Sequence, residues 1–196
     1  LDGVDAAVIT TDGDEVQDFG PSLTLPYPDG LRDRLRACLG GAAPAADVAA
    51  VERDLTDHHA EAARTLMARV GLAAAEVDVI GFHGHTLVHR PEDGRTWQIG
   101  DGARLARALN RAVVWDFRSA DIAAGGQGAP LAPFYHFALA RRAVEGGGPE
   151  GPVAFLNIGG VGNVTWVDPA APGPEAEGAL VAFDTGPGNA LVNDWM

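Results

Sequence analysis

Short apolar runs alternate along this chain with longer segments of helical periodicity. The runs are rich in Val, Ile and Phe, which is typical of buried strands, and they cover residues 6–10, 77–82, 97–99, 112–115, 153–156, 164–167 and 180–183. Amphipathic stripes between the runs predict helices at residues 31–38, 47–70, 102–109 and 133–144. Strands that alternate with helices in this way predict an α/β fold.

The composition changes at residues 146–152, which are rich in Gly, Pro and Glu. Such a segment between a predicted helix and a predicted strand is typical of a linker. We therefore expect residues 1–150 to form a first α/β lobe and residues 151–196 to begin a second lobe.

The strongest chemical signal is the segment 155–189, in which two glycine clusters lie close together. Gly159 and Gly160 separate two strands and predict a tight hairpin, which is either ordinary or an anion cradle built from backbone N–H groups. Asp184 follows a strand and precedes a glycine-rich turn and a helical pattern that begins at residue 190. A carboxylate at such a strand end is either catalytic or a cap, and local sequence leaves both open.

Polar residues also follow the strand at 112–115. Asp116 and Arg118 come directly after it, and the glycine-rich segment 121–130, expected to be a loop, precedes a helix. This arrangement predicts a ligand cleft. Arg118 either contacts a phosphate or sugar oxygen of the ligand or forms a structural ion pair with Asp116 or Asp121.

Three histidines follow the strand at 77–82. If that strand continues, His83, His85 and His89 project from one face, and two of them could bind a metal together with a nearby carboxylate. The alternative is that they line a polar cleft as hydrogen-bonding groups. A second pair, at residues 58–59, is expected on the solvent side of its helix.

The charge of the chain excludes several partners and mechanisms. The net charge is -13, which argues against nucleic acid or an anionic membrane as a partner. All 14 basic residues are arginine, so a lysine-dependent phosphate loop, a Schiff base and a lysine general base are excluded. Any phosphate must be bound by backbone N–H groups, arginine or a metal ion.

Other features point to a cytoplasmic protein and to a fragment. The single cysteine, Cys38, has no partner for an internal disulfide and is expected in the core. The sequence has no signal-type apolar segment and no run long enough to span a membrane. It starts at Leu1 and stops at Met196 within a helical pattern, so a fragment is expected.

Seven strings, in the same order and spacing along the whole chain, resemble the anhydro-N-acetylmuramic acid kinases. They are LDGVD (1–5), GFHGHT (81–86), QIG (98–100), DFR (116–118), AAGGQGAP (123–130), LNIGGVGN (156–163) and FDTGPGN (183–189). Seven collinear matches are far more specific than one glycine motif. The resemblance implies an actin/hexokinase/Hsp70-like (ribonuclease-H-like) fold of two lobes around an ATP cleft, with the second lobe incomplete in this chain.

The activity implied by the resemblance is part of peptidoglycan recycling. Members of the family use ATP and Mg²⁺ to phosphorylate 1,6-anhydro-N-acetylmuramic acid at O6 while water opens the anhydro ring. The product is N-acetylmuramic acid 6-phosphate. The expected partners are this amino sugar and, as a candidate assembly, a second copy in a homodimer.

The same resemblance assigns roles to individual residues. Asp184 would be the catalytic base. Residues of two phosphate loops would bind the nucleotide, namely Asp2, Gly3, Asp5, Gly159 and Gly160. The sugar would lie against Thr86, Gln98, Asp116, Arg118 and Gln127. Local sequence alone gives Asp2 and Asp5 two alternatives, a Mg²⁺ shell or a turn cap, and favours the cap.

Two departures from the family pattern bear on these expectations. Glycine, threonine and serine are expected before Leu1 and an adenosine-binding half after Met196, so the chain alone is expected to be inactive. His85 stands where the family usually has glutamine. Two alternatives remain from other classes, a metal-dependent hydrolase that uses His83 and His85, and a non-catalytic actin-like binding module.

Overall fold

The computed structural model describes residues 3–148 and 150–189, together with Val192 and Trp195. The strands are β1 (Gly3–Thr11), β2 (Val16–Pro26), β3 (Val79–Phe82), β4 (His85–Arg90), β5 (Arg95–Ile99), β6 (Ala112–Trp115), β7 (Val153–Ile158), β8 (Val161–Val167) and β9 (Leu180–Pro187). The helices are α1 (Asp29–Cys38), α2 (Ala45–Val70), α3 (Gly102–Leu109), α4 (Ser119–Ala123) and α5 (Ala132–Glu145).

The strands form both parallel and antiparallel pairs. β3 and β6 are parallel, whereas β4 pairs with β5 and β8 pairs with β7 and β9 in antiparallel fashion. β1 and β2 form a two-stranded sheet of their own. The predicted α/β class is therefore confirmed.

The chain divides into two compact units. The first unit contains Leu1–Val8 and Gly20–Ala129, and the second contains Ile9–Phe19 and Pro130–Met196. The division into functional lobes at residue 150 stays a prediction. Within the described ranges, no helix is both long enough and apolar enough to cross a membrane.

Helix α2 is the centre of the first unit. Its stripe of Val48, Val51, Leu55, Ala62 and Leu66 is buried, as the 3.6-residue periodicity predicts. The stripe contacts α1 and the β4–β5 hairpin at one end and the β1–β2 sheet at the other. Burying each Val or Leu side chain of the stripe contributes roughly 1.5–3 kcal/mol, so this helix anchors the strands that carry the candidate site.

Residues beside that stripe are buried as well. Cys38 is only 2% exposed, which confirms its expected place in the core. The expectation that the pair at 58–59 faces solvent is wrong, because His58 is 9% exposed and its Nε2 lies 3.0 Å from the carbonyl oxygen of Pro26. His59 packs edge-on against Phe82. Further elements contact α2 beyond its apolar stripe, so more than one face of the helix is covered.

In the second unit, α5 packs on the sheet β7–β8–β9. Phe137 and Ala140 of α5 form a buried cluster with Val167 and Ala179. His136 stacks on Phe155 with 4.6 Å between ring centroids. The tight hairpin predicted at residues 159–160 is confirmed, since these residues connect β7 to β8.

Three predicted boundaries change. The extended segment expected to run through residues 83–89 is broken at Gly84, whose φ of 69° ends β3 and allows β4 to start at His85. The segment 121–130 is not all loop, because α4 covers its first residues. β9 continues to Pro187, so Asp184 lies inside a strand and not at its end. The helix expected from residue 190 lies outside the described residues except at Val192 and Trp195.

Candidate functional site

A cavity of about 250 Å³ lies in the first unit, at the carboxyl ends of the parallel strands β3 and β6. Such an edge is where α/β proteins bind small molecules. Its lining includes His83, Trp97, Gln98, Trp115, Asp116 and Ser119. Polar and aromatic side chains therefore converge on a space suited to one small polar ligand.

Two glycines allow the walls of this cavity to approach each other. Gly84 has a φ of 69°, and a Cβ there would collide with the carbonyl oxygen of Ile99. Gly100 has a φ of 145°, and a Cβ there would lie 2.6 Å from the ring of Phe82. The turns after β3 and β5 thus pack closely because neither glycine carries a side chain.

Gln98 is oriented by threonines of the β4–β5 hairpin. Its Nε2 donates to Thr96 Oγ1 at 2.8 Å and lies 3.3 Å from Thr86 Oγ1. Nδ1 of His89 lies 3.1 Å from the same Thr96 hydroxyl. The structure therefore brings Thr86 and Gln98 together, with Gln98 lining the cavity and Thr86 fixing its amide.

Asp116 takes up a left-handed backbone conformation, which Asp adopts more readily than most other non-glycine residues. Its φ is 56°, in the left-handed region that costs a non-glycine residue about 1 kcal/mol. Its Oδ1 accepts a hydrogen bond from the Ser119 hydroxyl at 2.5 Å. Strain of this kind is frequent at binding sites, and here it places the carboxylate at the cavity.

Arg118 binds the glycine-rich loop and not a carboxylate. Its Nη1 donates to the Gly128 carbonyl at 2.8 Å, and its Nη2 donates to Nε2 of His83 at 3.0 Å. Asp121 accepts the N–H of Gly128 at 2.6 Å. Neither predicted ion pair of Arg118, with Asp116 or with Asp121, is among the salt bridges within the described ranges. Burial lowers the pKa of the Arg118 guanidinium.

Gln127 lies on the same loop and is exposed. The loop is held at the next residue, Gly128, whose N–H and carbonyl are both hydrogen-bonded to side chains. The backbone beside Gln127 is thus fixed while its side chain is open to solvent.

The three histidines do not converge. A guanidinium only donates, so Nε2 of His83 accepts from Arg118 and its Nδ1–H donates to the Gly84 carbonyl at 3.1 Å. His85 is paired with Ile99 of the core, and burial lowers its pKa. No group of three His, Cys, Asp or Glu suited to a metal occurs within residues 3–148 and 150–189.

In the second unit, Asp184 lies in a row of polar residues across the sheet. It is opposite Asn163 of β8, which is opposite Asn157 of β7. The pairing of β8 with β9 shifts between Gly162 and Asn163, so that Thr185 is an extra residue in β9. Such bulges re-aim neighbouring side chains and are frequent beside active sites. Asp184 is exposed.

The two glycine clusters of the sequence are hydrogen-bonded to each other. The N–H of Gly188 donates to the Gly160 carbonyl at 2.9 Å, and the N–H of Asn189 donates to the Gly159 carbonyl at 2.8 Å. A Cβ at Gly188 would collide with the Gly159 carbonyl oxygen. We call residues 159–160 and 188–189 the glycine clasp. It lies close along the chain to Asp184.

The remaining residues expected at a nucleotide lie near the start of β1. Asp2 lies outside the described residues. Gly3 packs so closely on β2 that a Cβ would lie 2.5 Å from the Leu25 carbonyl oxygen. Asp5 is exposed and accepts a hydrogen bond from the Thr24 hydroxyl at 2.5 Å.

Sequence reasoning missed several residues that line the cavity. Thr96 could have been found, because it lies two residues before Gln98 in the same strand and therefore on the same face. Trp115 directly precedes Asp116, but the apolar run that contains it predicts only a buried position. Trp115 is instead 45% exposed. Ser119 carries no signal of its own in the sequence.

The chain is similar over its whole length to anhydro-N-acetylmuramic acid kinases. The family model described as anhydro-N-acetylmuramic acid kinase matches residues 1–196. Two relatives are named anhydro-N-acetylmuramic acid kinase, one from Paramagnetospirillum magneticum and one from Cereibacter sphaeroides, and each is 55% identical to the chain. In both comparisons the match covers 100% of this chain and 50% of the relative. The protein of that name from Rhodospirillum rubrum is 52% identical, with 100% of this chain and 49% of that protein covered.

The chain spans about half the length of the curated relatives it matches. All seven strings of the sequence resemblance fall within the matched residues. The chain belongs to the anhydro-N-acetylmuramic acid kinase family.

Proposed function

We propose that the whole protein is an ATP-dependent kinase that opens 1,6-anhydro-N-acetylmuramic acid with water and phosphorylates O6. Its product is N-acetylmuramic acid 6-phosphate, formed in peptidoglycan recycling in the cytoplasm. The observation that carries this proposal is the cavity at β3 and β6, which both Gln98 and Asp116 line, in a chain that matches the kinase family throughout.

The proposed fold is of the actin/hexokinase/Hsp70 type, with two lobes. Within the first unit, the parallel pair β3–β6 and its helices support this assignment. Within the second unit, the antiparallel sheet β7–β8–β9, on which α5 packs, also supports the assignment. Residues 151–196 would begin the second lobe, and a homodimer is the assembly to test.

The amino sugar would bind in the cavity of the first unit. Gln98 and Asp116 offer an amide and a carboxylate to sugar hydroxyls, while Thr86 fixes the Gln98 amide. Arg118 would act on the sugar mainly through His83 and the loop that carries Gln127, since its guanidinium hydrogen-bonds to both. These groups match a polar ring with several hydroxyl groups.

Asp184 would be the catalytic base. Its carboxylate would take a proton from a water molecule as the water oxygen bonds to C1 of the sugar and the bond between C1 and O6 breaks. The freed O6 would bond to the γ-phosphorus of ATP as the bond to the β,γ-bridging oxygen breaks, leaving ADP. Phosphoryl transfer itself asks chiefly for positioning and charge neutralisation, so Asp184, whose carboxylate is exposed in β9, would contribute only as the base.

The residues proposed to bind the nucleotide are Gly159 and Gly160 of the glycine clasp and, near the start of the chain, Asp2, Gly3 and Asp5. Because Gly159 and Gly160 carry no side chain, the backbone of their turn can approach an anion closely. Mg²⁺ is bound in kinases mainly by nucleotide phosphates and one or two carboxylates. Because the phosphates supply most of its ligands, such a site does not need a cluster of three protein ligands.

The test is phosphoryl transfer by a protein of the relatives' full length that contains this chain. ATP, Mg²⁺ and 1,6-anhydro-N-acetylmuramic acid are supplied, and the 6-phosphate is identified by mass spectrometry. We expect product from the full-length protein and none from the 196-residue chain alone. A folded full-length protein that binds the sugar without forming product would contradict the kinase and indicate a binding module.

A further inference from the structure

We propose that Glu52 and Thr56, one turn apart on α2, are positioning residues for one wall of the cavity. That wall is formed by β5 and the turn that follows it. This inference rests on the proposed function, because the cavity concerned is the proposed sugar site. Neither residue lines the cavity, so each would act through the turn and not by touching the substrate.

Two consecutive backbone N–H groups connect the turn after β5 to helix α2. The N–H of Gly100 donates to Oε1 of Glu52 at 2.9 Å, and the N–H of Asp101 donates to Oγ1 of Thr56 at 3.1 Å. Thr56 is fully buried, and its hydroxyl donates in turn to the carbonyl of Glu52 at 2.7 Å. The hydroxyl therefore has both a donor and an acceptor, which fixes its orientation.

The turn needs these partners because the strand ladder ends before it. The last residue of β5 in the ladder is Ile99, paired with His85, and α3 begins at Gly102. Backbone N–H groups between a strand and a helix have no partner from either element. Acceptors four residues apart lie on one face of a helix, and Glu52 and Thr56 supply them to Gly100 and Asp101.

A third link holds the start of α3 to the same helix. Nε and Nη2 of Arg104 both donate to the carboxylate of Asp57 at 2.7 Å. The Arg104 N–H also donates to Oδ1 of Asp101, which caps α3. The turn and the first turn of α3 are therefore fixed to α2 at successive positions.

The consequence concerns Gln98, which lies two residues before Gly100 and lines the cavity. A displacement of about 1 Å at a binding group is enough to weaken binding and catalysis strongly. The hydrogen bonds that Thr56 and Glu52 accept restrict such movement at the end of β5. Their loss should therefore affect sugar binding more than nucleotide binding.

The test uses Thr56→Val in the full-length protein, because valine keeps the shape and removes the acceptor. We expect the KM for the sugar to rise about tenfold, as for a buried N–H that loses its partner, while the KM for ATP changes little. Thr56→Ser keeps Oγ and should restore the sugar KM. Ala62→Gly, on the same helix, is the control for general loss of stability.

Hydrogen exchange supplies a readout that does not depend on turnover. The amides of Gly100 and Asp101 should exchange faster in Thr56→Val than in the wild type. In Ala62→Gly, the same two amides should exchange as in the wild type. An unchanged sugar KM in Thr56→Val, or an equal rise in Ala62→Gly, would overturn the inference. Absence of turnover in the wild type would overturn the proposed function. The exchange rates would still test whether the hydrogen bonds from α2 restrain the turn at Gly100 and Asp101.

Discussion

Nη2 of Arg118 donates a hydrogen bond to Nε2 of His83 across 3.0 Å, while Nη1 of the same guanidinium donates to the Gly128 carbonyl at 2.8 Å. One side chain thus links the turn after β3 to the glycine-rich loop after α4. Because the guanidinium has no acceptor, the contact also sets the tautomer of His83. Arginine at this position organises the cavity and does not merely contribute charge.

Arg118→Lys is therefore expected to weaken sugar binding although the charge is kept. A lysine cannot donate in two fixed directions, and loss of one hydrogen bond from a charged group, worth about 1.5–3 kcal/mol, predicts a rise in sugar KM of about tenfold or more. Steady-state kinetics of the full-length protein would measure it. Arg69→Lys, on an exposed arginine near the end of α2, is the control and should behave as wild type. Equal kinetics in both variants would contradict the assigned role.

Asp184→Asn should reduce kcat in the full-length protein by about 10²–10⁴-fold, the usual contribution of a general base. The side chain is exposed in β9, so the thermal midpoint should change little. Glu177 is an exposed carboxylate of the same unit. Glu177→Gln removes the same charge and is the matched control. Wild-type turnover in Asp184→Asn would remove this residue from the base role.

Gly188→Ala should open the glycine clasp. A Cβ there meets the Gly159 carbonyl oxygen, which is backbone and cannot rotate away. In the full-length protein, which is about twice as long as this chain, loss of the two clasp hydrogen bonds would cost about 2 kcal/mol and lower Tm by roughly 2–4 °C, and the KM for ATP should rise. In Gly173→Ala the new Cβ meets only a side-chain oxygen of Glu175, so that variant is the control. A Gly188→Ala protein with wild-type Tm and KM would show that the clasp contributes neither stability nor nucleotide binding.

Acid should destabilise the first unit through His59 and His85. Burial lowers the pKa of both below the ordinary value of 6.5, so the folded state favours their neutral forms while the unfolded state takes up protons near pH 6.5. Their contribution is present above that pH and is lost as the pH falls through the lowered values. Thermal unfolding between about pH 7.5 and about pH 5 measures the loss. The double variant His59→Gln/His85→Gln should lose less stability over this range, and an equal loss would contradict the assignment.

Much of the secondary structure could be predicted because it depends on local patterns. The stripe of α2, the run at β6 and the hairpin at Gly159–Gly160 all follow from residue periodicity or from glycine. The errors have local causes too. A single glycine with a left-handed φ, Gly84, broke the expected extended segment and separated the histidines.

The sites were harder to predict, since they depend on contacts between distant segments. Thr56 contacts Asp101 and Arg104 contacts Asp57, at separations of 45 and 47 residues. His85 lies on the core side of its hairpin because it is paired with Ile99. No periodicity in one segment carries that information.

By itself, the sequence determined the α/β class, the family and the two segments that carry the chemistry. It could do so because strand and helix periodicity and short glycine motifs are properties of neighbouring residues. Only the tertiary structure decided that Arg118 binds His83 and Gly128, that Asp184 lies opposite Asn163, and that α2 holds the turn at Gly100. Those relationships arise when segments far apart in the chain pack together and most buried polar groups find a partner.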